Sequence, residues 1–151
     1  MLKILVFLLS ISAFPIDFSV IHPCENKPFL KQSIEVLAPI SVSELTHYIF
    51  KKFDIPFIGD KKVIDSILDT PTGENAYSIL TRDEIKVYGW CFQVNGIQPD
   101  KLMSDVILDP SISNHVNWVY GFAHYKNSKW ITYCQPAYTQ EAFICSNSSS
   151  K

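Results

Sequence analysis

One early segment has the hydrophobic spacing of an amphipathic helix. Ser41 and Glu44 form the Ser-x-x-Glu pattern of a capping box at its start. Apolar residues then recur at the three- and four-residue spacing of one helix face. They are Val42, Leu45, Ile49, Phe50 and Phe53. This pattern predicts a helix over residues 42–53.

The other segments before residue 84 have shorter patterns. Residues 33–40 (SIEVLAPI) are a strand candidate that ends near a proline. Residues 61–68 (KKVIDSIL) fit either a strand or a helix. A turn at residues 70–73 precedes apolar residues at helical spacing, which predicts a second short helix over residues 74–83.

From residue 85 onward the pattern is that of β-strands. Residues 85–95 (IKVYGWCFQVN) are rich in aromatic and β-branched side chains and end at Asn95-Gly96. This pair predicts a hairpin turn because both positions tolerate positive φ, and a short return strand is expected near Ile97. Further strands are predicted at residues 106–110, 115–125 and 129–135, with a turn at 126–128. The fold class is therefore α+β, a small and mainly antiparallel sheet packed against one or two helices.

Aromatic residues occupy alternate positions in the two longest predicted strands. Alternate residues of a strand share a face, so these side chains line one side of the sheet. They form a core under the helix, or they form a contact surface together with Trp130, since Trp and Tyr supply contact area with a polar group. The tentative ligand- or partner-binding residues are Tyr88, Trp90, Phe92, Trp118, Tyr120, Phe122 and Trp130.

The first residues have the plan of a secretory signal peptide. MLKILVFLLSISAFP carries one positive charge at Lys3, a short apolar run and small residues before Pro15. The run is shorter than the ~20 residues of a transmembrane helix, so no membrane anchor is expected. Cleavage is expected near Ser12 and Ala13, which makes the mature chain secreted or periplasmic.

The length of 151 residues fits a single domain after this leader. We expect a signal peptide at 1–13, an extended N-terminal arm at 14–32, one domain at 33–145 and a flexible tail at 146–151. Loss of Lys3 reduces 13 basic residues to 12 against 15 acidic residues, a formal charge of −3. This charge argues against nucleic acid as a partner, and the chain is expected to be a monomer.

Four cysteines, an even number, suggest two disulfides in an exported chain, with three possible pairings. We expect Cys91–Cys134, because each lies in a strand-like segment, which leaves Cys24–Cys145. No metal site is expected, because no two cysteines have the close spacing of a structural zinc site.

Three runs resemble a known family. YGWCFQVNG, VILDP and HVNWVYGFAHY are similar to the C-terminal domain of transcobalamin and its exported bacterial relatives of unknown function. Trp90 and the Val-Asn-Gly at 94–96 match the first strand of that pattern, and Trp118 with Tyr120 matches the last. The resemblance covers roughly residues 66–136.

This resemblance implies a β-grasp fold. It implies cobalamin only as one ligand to consider, because transcobalamin encloses cobalamin together with a helical domain that this chain is too short to contain. Ser113-Asn114 replaces the usual Gly-Asp turn, a departure from the pattern.

Together these observations predict an exported, non-enzymatic domain that binds a small molecule or a protein through an aromatic surface. One alternative is a hydrolase that uses Cys91 or Cys134 with His124. In its metal-dependent form the metal would be held by several histidines, although no two histidines have the spacing of metal ligands on one helix or strand. Another alternative is a structural accessory of a cell-envelope assembly, or a secreted factor that acts on host cells.

Overall fold

The computed structural model describes residues 14–139 and Cys145. The predicted signal peptide and the tail at 146–151 lie outside these residues. The elements in chain order are β1 (Ile16–Ile21), β2 (Pro28–Ile34), β3 (Ile40–Ser41), α1 (Val42–Lys52), β4 (Phe57–Gly59), β5 (Ile64–Ile67), β6 (Tyr77–Thr81), β7 (Glu84–Val94), β8 (Ile107–Leu108), β9 (Asn114–Lys126) and β10 (Lys129–Pro136). Within the described residues, no helix has the length and hydrophobicity needed to span a membrane.

A six-stranded mixed sheet is built around β9. Its order is β2-β1-β9-β7-β6. One edge of β9 pairs with β7 along its length. The other edge pairs with β1 in parallel through Trp118 and with β10 in antiparallel from Gly121 onward. Two-stranded sheets, β3-β8 and β4-β5, complete the α+β domain, and the prediction of this fold class is confirmed.

Helix α1 begins at the predicted capping box. The Ser41 side chain accepts a hydrogen bond from the Glu44 backbone N–H, and the Glu44 carboxylate accepts one from the Ser41 N–H. The hydrogen bond from the Ser41 N–H, together with one that the Ser41 hydroxyl donates to the same carboxylate, holds the pKa of Glu44 below its usual value. The helix packs on one side of the sheet, where the Trp118 indole donates to the Thr46 hydroxyl at 3.1 Å and Phe50 contacts Phe18 edge to face.

The segment at residues 14–32 was expected to be an arm, but it forms β1 and most of β2. Ile16, Phe18 and Val20 alternate with polar residues, and all three are completely buried. Their parallel pairing with β9 places them under α1. The arm prediction is wrong because this alternation is that of a half-buried strand, which the neighbouring prolines obscured.

Two other predictions differ from the structure. The predicted helix at 74–83 is a 3₁₀ turn (Gly73–Ala76) followed by β6, because pairing with β7 overrides local helical spacing. The predicted strand at 33–40 contains only the end of β2 and the start of β3, with Leu37 exposed between them. The ambiguous segment at 61–68 contains the strand β5.

Both predicted hairpin turns are confirmed. Asn95 and Gly96 have φ of 53° and 80°, and Val94 and Ile97 exchange backbone hydrogen bonds of 2.8 and 3.1 Å. The return strand is a single bridge at Ile97. The β9–β10 turn likewise places Asn127 and Ser128 at positive φ.

The disulfides pair as expected, Cys91 with Cys134 and Cys24 with Cys145. β7 and β10 lie on opposite edges of β9, which would put them about 9.5 Å apart in a regular sheet. The Cα atoms of Cys91 and Cys134 are 6.2 Å apart. β10 therefore leaves the sheet plane and crosses over Gly121, through the register shift between Thr132 and Gln135.

Candidate functional site

The sheet has two faces with different surroundings. We call the side that carries α1 the helix face and the other side the open face. Strand alternation places the even-numbered residues of β7 and β9 on the helix face and the odd-numbered residues on the open face. This division separates the candidate aromatic residues.

Six of the seven candidate aromatic residues lie on the helix face. Trp118 and Tyr120 are each 1% exposed, and Phe92 is partly buried against Trp118. The Trp90 indole, also buried, donates a 2.7 Å hydrogen bond to the Thr70 hydroxyl. Burial places Tyr88, Trp90, Trp118, Tyr120 and Phe122 in the core rather than in a contact surface, whereas Phe92 is only partly buried.

The environment of Tyr120 agrees with a place in the core. Burial, with a smaller effect from nearby Tyr88, raises the pKa of the Tyr120 phenol to about 12. Burial also raises the pKa of Tyr88. The two rings stack with centroids 6.2 Å apart. These phenols are therefore neutral packing groups at physiological pH.

Trp130 is the one predicted candidate on the open face. It is 45% exposed and contacts Tyr125 edge to face, with ring centroids 5.2 Å apart. Tyr133 is 64% exposed, and its ring centroid lies 5.9 Å from that of Trp130. We call Tyr125, Trp130 and Tyr133 the open aromatic patch. Residues three apart in a regular strand point to opposite faces, but the irregular backbone of β10 brings Trp130 and Tyr133 into contact. The alternating pattern in the sequence therefore did not identify Tyr133.

A shallow depression, which we call the glycine cleft, borders this patch. Gly89 and Gly121 are paired neighbours on β7 and β9, and neither has a side chain to fill the open face. Val87, Ala123 and Tyr133 line the cleft, and the Cys91–Cys134 bridge closes one end. The cavity volume is about 220 Å³.

Apolar residues continue the open face beyond the cleft. Ile79 of β6 lies opposite Ile85 and is 77% exposed, and Tyr77 lies opposite Val87 and is also exposed. A contiguous exposed apolar surface in a folded domain is typical of an interaction site. The open face thus combines an exposed aromatic surface with a small cavity, the glycine cleft.

The polar groups that could carry catalysis have structural partners. Every cysteine is in a disulfide, so no thiol is present. His124 and Lys126 contact the Glu84 carboxylate at 2.8 and 3.2 Å. The hydrogen bond from His124, then that from Lys126, lowers the pKa of Glu84. This cluster joins the ends of β7 and β9.

The remaining histidines make separate local contacts. His47 bonds the Ser43 carbonyl, His115 contacts the Ser19 hydroxyl, and His22 accepts from the Cys24 N–H. Across residues 14–139 and Cys145, no group of three metal-ligating side chains comes together. The histidines do not assemble into one site.

No protein-family model matches the sequence, and a search of curated proteins gives no significant match. The similarity to transcobalamin C-terminal domains therefore rests on the three sequence runs alone.

Proposed function

We propose that this chain is an exported binding domain that recognises a protein partner through its open face. The observation that carries the proposal is the open aromatic patch beside the glycine cleft. Trp130 and Tyr133 are large, exposed and supported by ring contacts with each other. Aromatic residues of this kind dominate binding energy in protein interfaces.

The size of the cleft favours a protein over a small molecule. Its volume of about 220 Å³ lies below the ~300–1,000 Å³ of typical small-molecule sites. One side chain of a partner fits such a depression, while the surrounding apolar face provides a flat contact area. At the open face we therefore favour a protein over a small molecule.

The proposal also includes the export of the chain and its β-grasp fold. The two disulfides are typical of a protein that folds in an oxidising compartment, and the signal-peptide pattern would direct the chain there. The β-grasp fold and the transcobalamin-like family remain hypotheses that go with it. Cobalamin is a poor fit to the glycine cleft, since it exceeds a drug-sized ligand, and equilibrium dialysis against cobalamin tests it.

We do not favour a thiol hydrolase, because each cysteine sulfur is bonded to another cysteine. Titration of thiols in the folded, non-reduced protein tests this point. One equivalent of reactive thiol together with hydrolytic activity would restore the enzymatic alternative.

A quantitative pull-down tests the binding proposal. The bait is residues 14–151, exposed to the extracellular and envelope fractions of the native organism. Trp130→Ala/Tyr133→Ala is expected to lose specific partners, whereas Tyr48→Ala/Ile112→Ala, which changes residues exposed elsewhere, is expected to retain them. Circular dichroism checks that both variants fold. Equal partner recovery by the two variants would refute the role of the open face.

A further inference from the structure

We propose that the partner contributes an extended polypeptide segment that adds as a strand to the edge of β7. This inference rests on the proposed function, since it assumes a protein partner, but it concerns backbone groups rather than the open aromatic patch. Strand addition of this kind derives affinity from main-chain hydrogen bonds and specificity from side-chain pockets.

The edge of β7 has a gap between two short neighbours. β6 pairs with β7 only as far as Tyr77 opposite Val87, and on the same side Ile97 pairs with Val94. Between these points, over residues 89–93, none of the strands in the described part of the chain pairs with this edge. At ~3.3 Å per residue the gap is about 17 Å long.

The hydrogen bonds at the end of β7 show which groups point into the gap. The N–H and C=O of Val94 bond to Ile97, whereas the N–H of Asn95 bonds to the His115 carbonyl in β9. Because the bonding direction alternates along a strand, the N–H and C=O of Trp90 and Phe92 point away from β9. Among residues 14–139, no backbone hydrogen bond outside the regular strand pairs involves either residue.

Space exists along this edge on both sides of Trp90. One cavity of about 550 Å³ lies next to residues 88–90, and a second of about 150 Å³ lies next to residues 90–92. The glycine cleft reaches residues 87–91 from the open face. Val63 and Ile64 line both edge cavities and form an apolar wall.

Charges at the two ends of the gap indicate what the segment carries. Lys62 and Lys101 line the cavity beside Phe92, while Asp65 lines the cavity beside Tyr88. All three side chains are exposed. The complementary segment has apolar residues at alternate positions, an acidic residue near Phe92 and a basic residue near the opposite end.

Random nonapeptides displayed on phage and selected against residues 14–151 test this inference. A selected peptide is resynthesised with single N-methyl groups at each position. Methylation at alternate positions is expected to weaken binding about tenfold or more, with little effect at the intervening positions. Peptides that tolerate methylation at every position, or failure to select any peptide, would overturn strand addition.

Amide hydrogen exchange supplies an independent readout. Without peptide, the amides of Trp90 and Phe92 are expected to exchange faster than those of Gly89 and Cys91, and the peptide is expected to slow them. Slow exchange of both in the unbound monomer would show that the edge is already occupied. If sedimentation shows a dimer and the amides of Trp90 and Phe92 are protected in it, the edge binds a second copy of this chain, which would overturn the proposal.

Two variants separate this inference from the proposed function. Val63→Glu, in the apolar wall, is expected to weaken peptide binding, whereas Leu37→Glu, exposed and outside these cavities, is not. Loss of partner recovery in Trp130→Ala/Tyr133→Ala, with no peptide binding by the parent chain, would retain the open face and reject the edge.

Discussion

Replacing each of the paired glycines with alanine should give opposite results. A Cβ on Gly121 would lie 2.8 Å from the Gln135 carbonyl oxygen and 3.2 Å from the Cys134 carbonyl carbon. Both are backbone atoms, and the Cys91–Cys134 bridge restrains the segment that would have to move. A Cβ on Gly89 would meet no atom within 4 Å.

These distances set the expected magnitudes. Alanine restricts the unfolded chain, and because neither glycine has positive φ this raises the free energy of unfolding of both variants by about 0.4–1 kcal/mol. Gly89→Ala should show this gain alone, whereas in Gly121→Ala it is opposed by an overpacking cost of about 1–3 kcal/mol. The two variants should therefore differ by about 1–3 kcal/mol.

Urea unfolding under non-reducing conditions, followed by tryptophan fluorescence, measures this difference. Equal denaturant slopes would show that the two variants unfold similar structures. Gly89→Ala should also reduce partner recovery, because its methyl group enters the glycine cleft. A Gly121→Ala protein as stable as Gly89→Ala would refute the crossing of β10 over β9.

Three further outcomes are expected. Tyr120→Phe should leave the free energy of urea unfolding unchanged or raise it by up to about 1 kcal/mol, because among the described residues the buried phenol oxygen has no hydrogen-bond partner. It should also remove the phenol whose pKa is about 12 from the titration followed by ultraviolet absorbance. A clear loss of stability would show that the phenol does have a hydrogen-bond partner. Cys91→Ala/Cys134→Ala opens a loop of 43 residues and should cost about 4 kcal/mol in the same assay, so an unchanged midpoint would contradict it. The hydrogen bond from His124 is the main cause that lowers the pKa of Glu84 in the folded state, so ionised Glu84 stabilises the fold above its unfolded pKa near 4.5 and this stabilisation is lost as pH falls below that value. The unfolding free energies of Glu84→Gln and of the parent protein should therefore converge in acid. A constant difference between them down to pH 2 would contradict this linkage.

Local patterns predicted some elements well. Helix α1 was identifiable because its capping box and its apolar spacing agree. β7 and β9 were identifiable because long runs of aromatic and β-branched residues end at turn signals. β1 was missed although Ile16, Phe18 and Val20 alternate, because the neighbouring prolines obscured this short pattern.

The candidate site was less predictable. Whether an aromatic strand face is core or surface depends on which side α1 packs, and no local pattern contains that information. Trp130 and Tyr133 meet only because β10 is irregular and crosses the sheet toward Cys91. A pairing of this kind depends on tertiary structure, so sequence reasoning included Trp130 and omitted Tyr133.

The central claim is that the aromatic residues divide between a core under α1 and a contact surface on the open face. Site-specific photocrosslinking tests it most directly, with p-benzoylphenylalanine replacing Tyr133 or, in a second protein, Tyr48 of α1. Irradiation in the native extracellular fraction should give a defined crosslinked partner from position 133 and none from position 48. Crosslinking from position 48 alone would place the contact surface on the helix side and contradict the account.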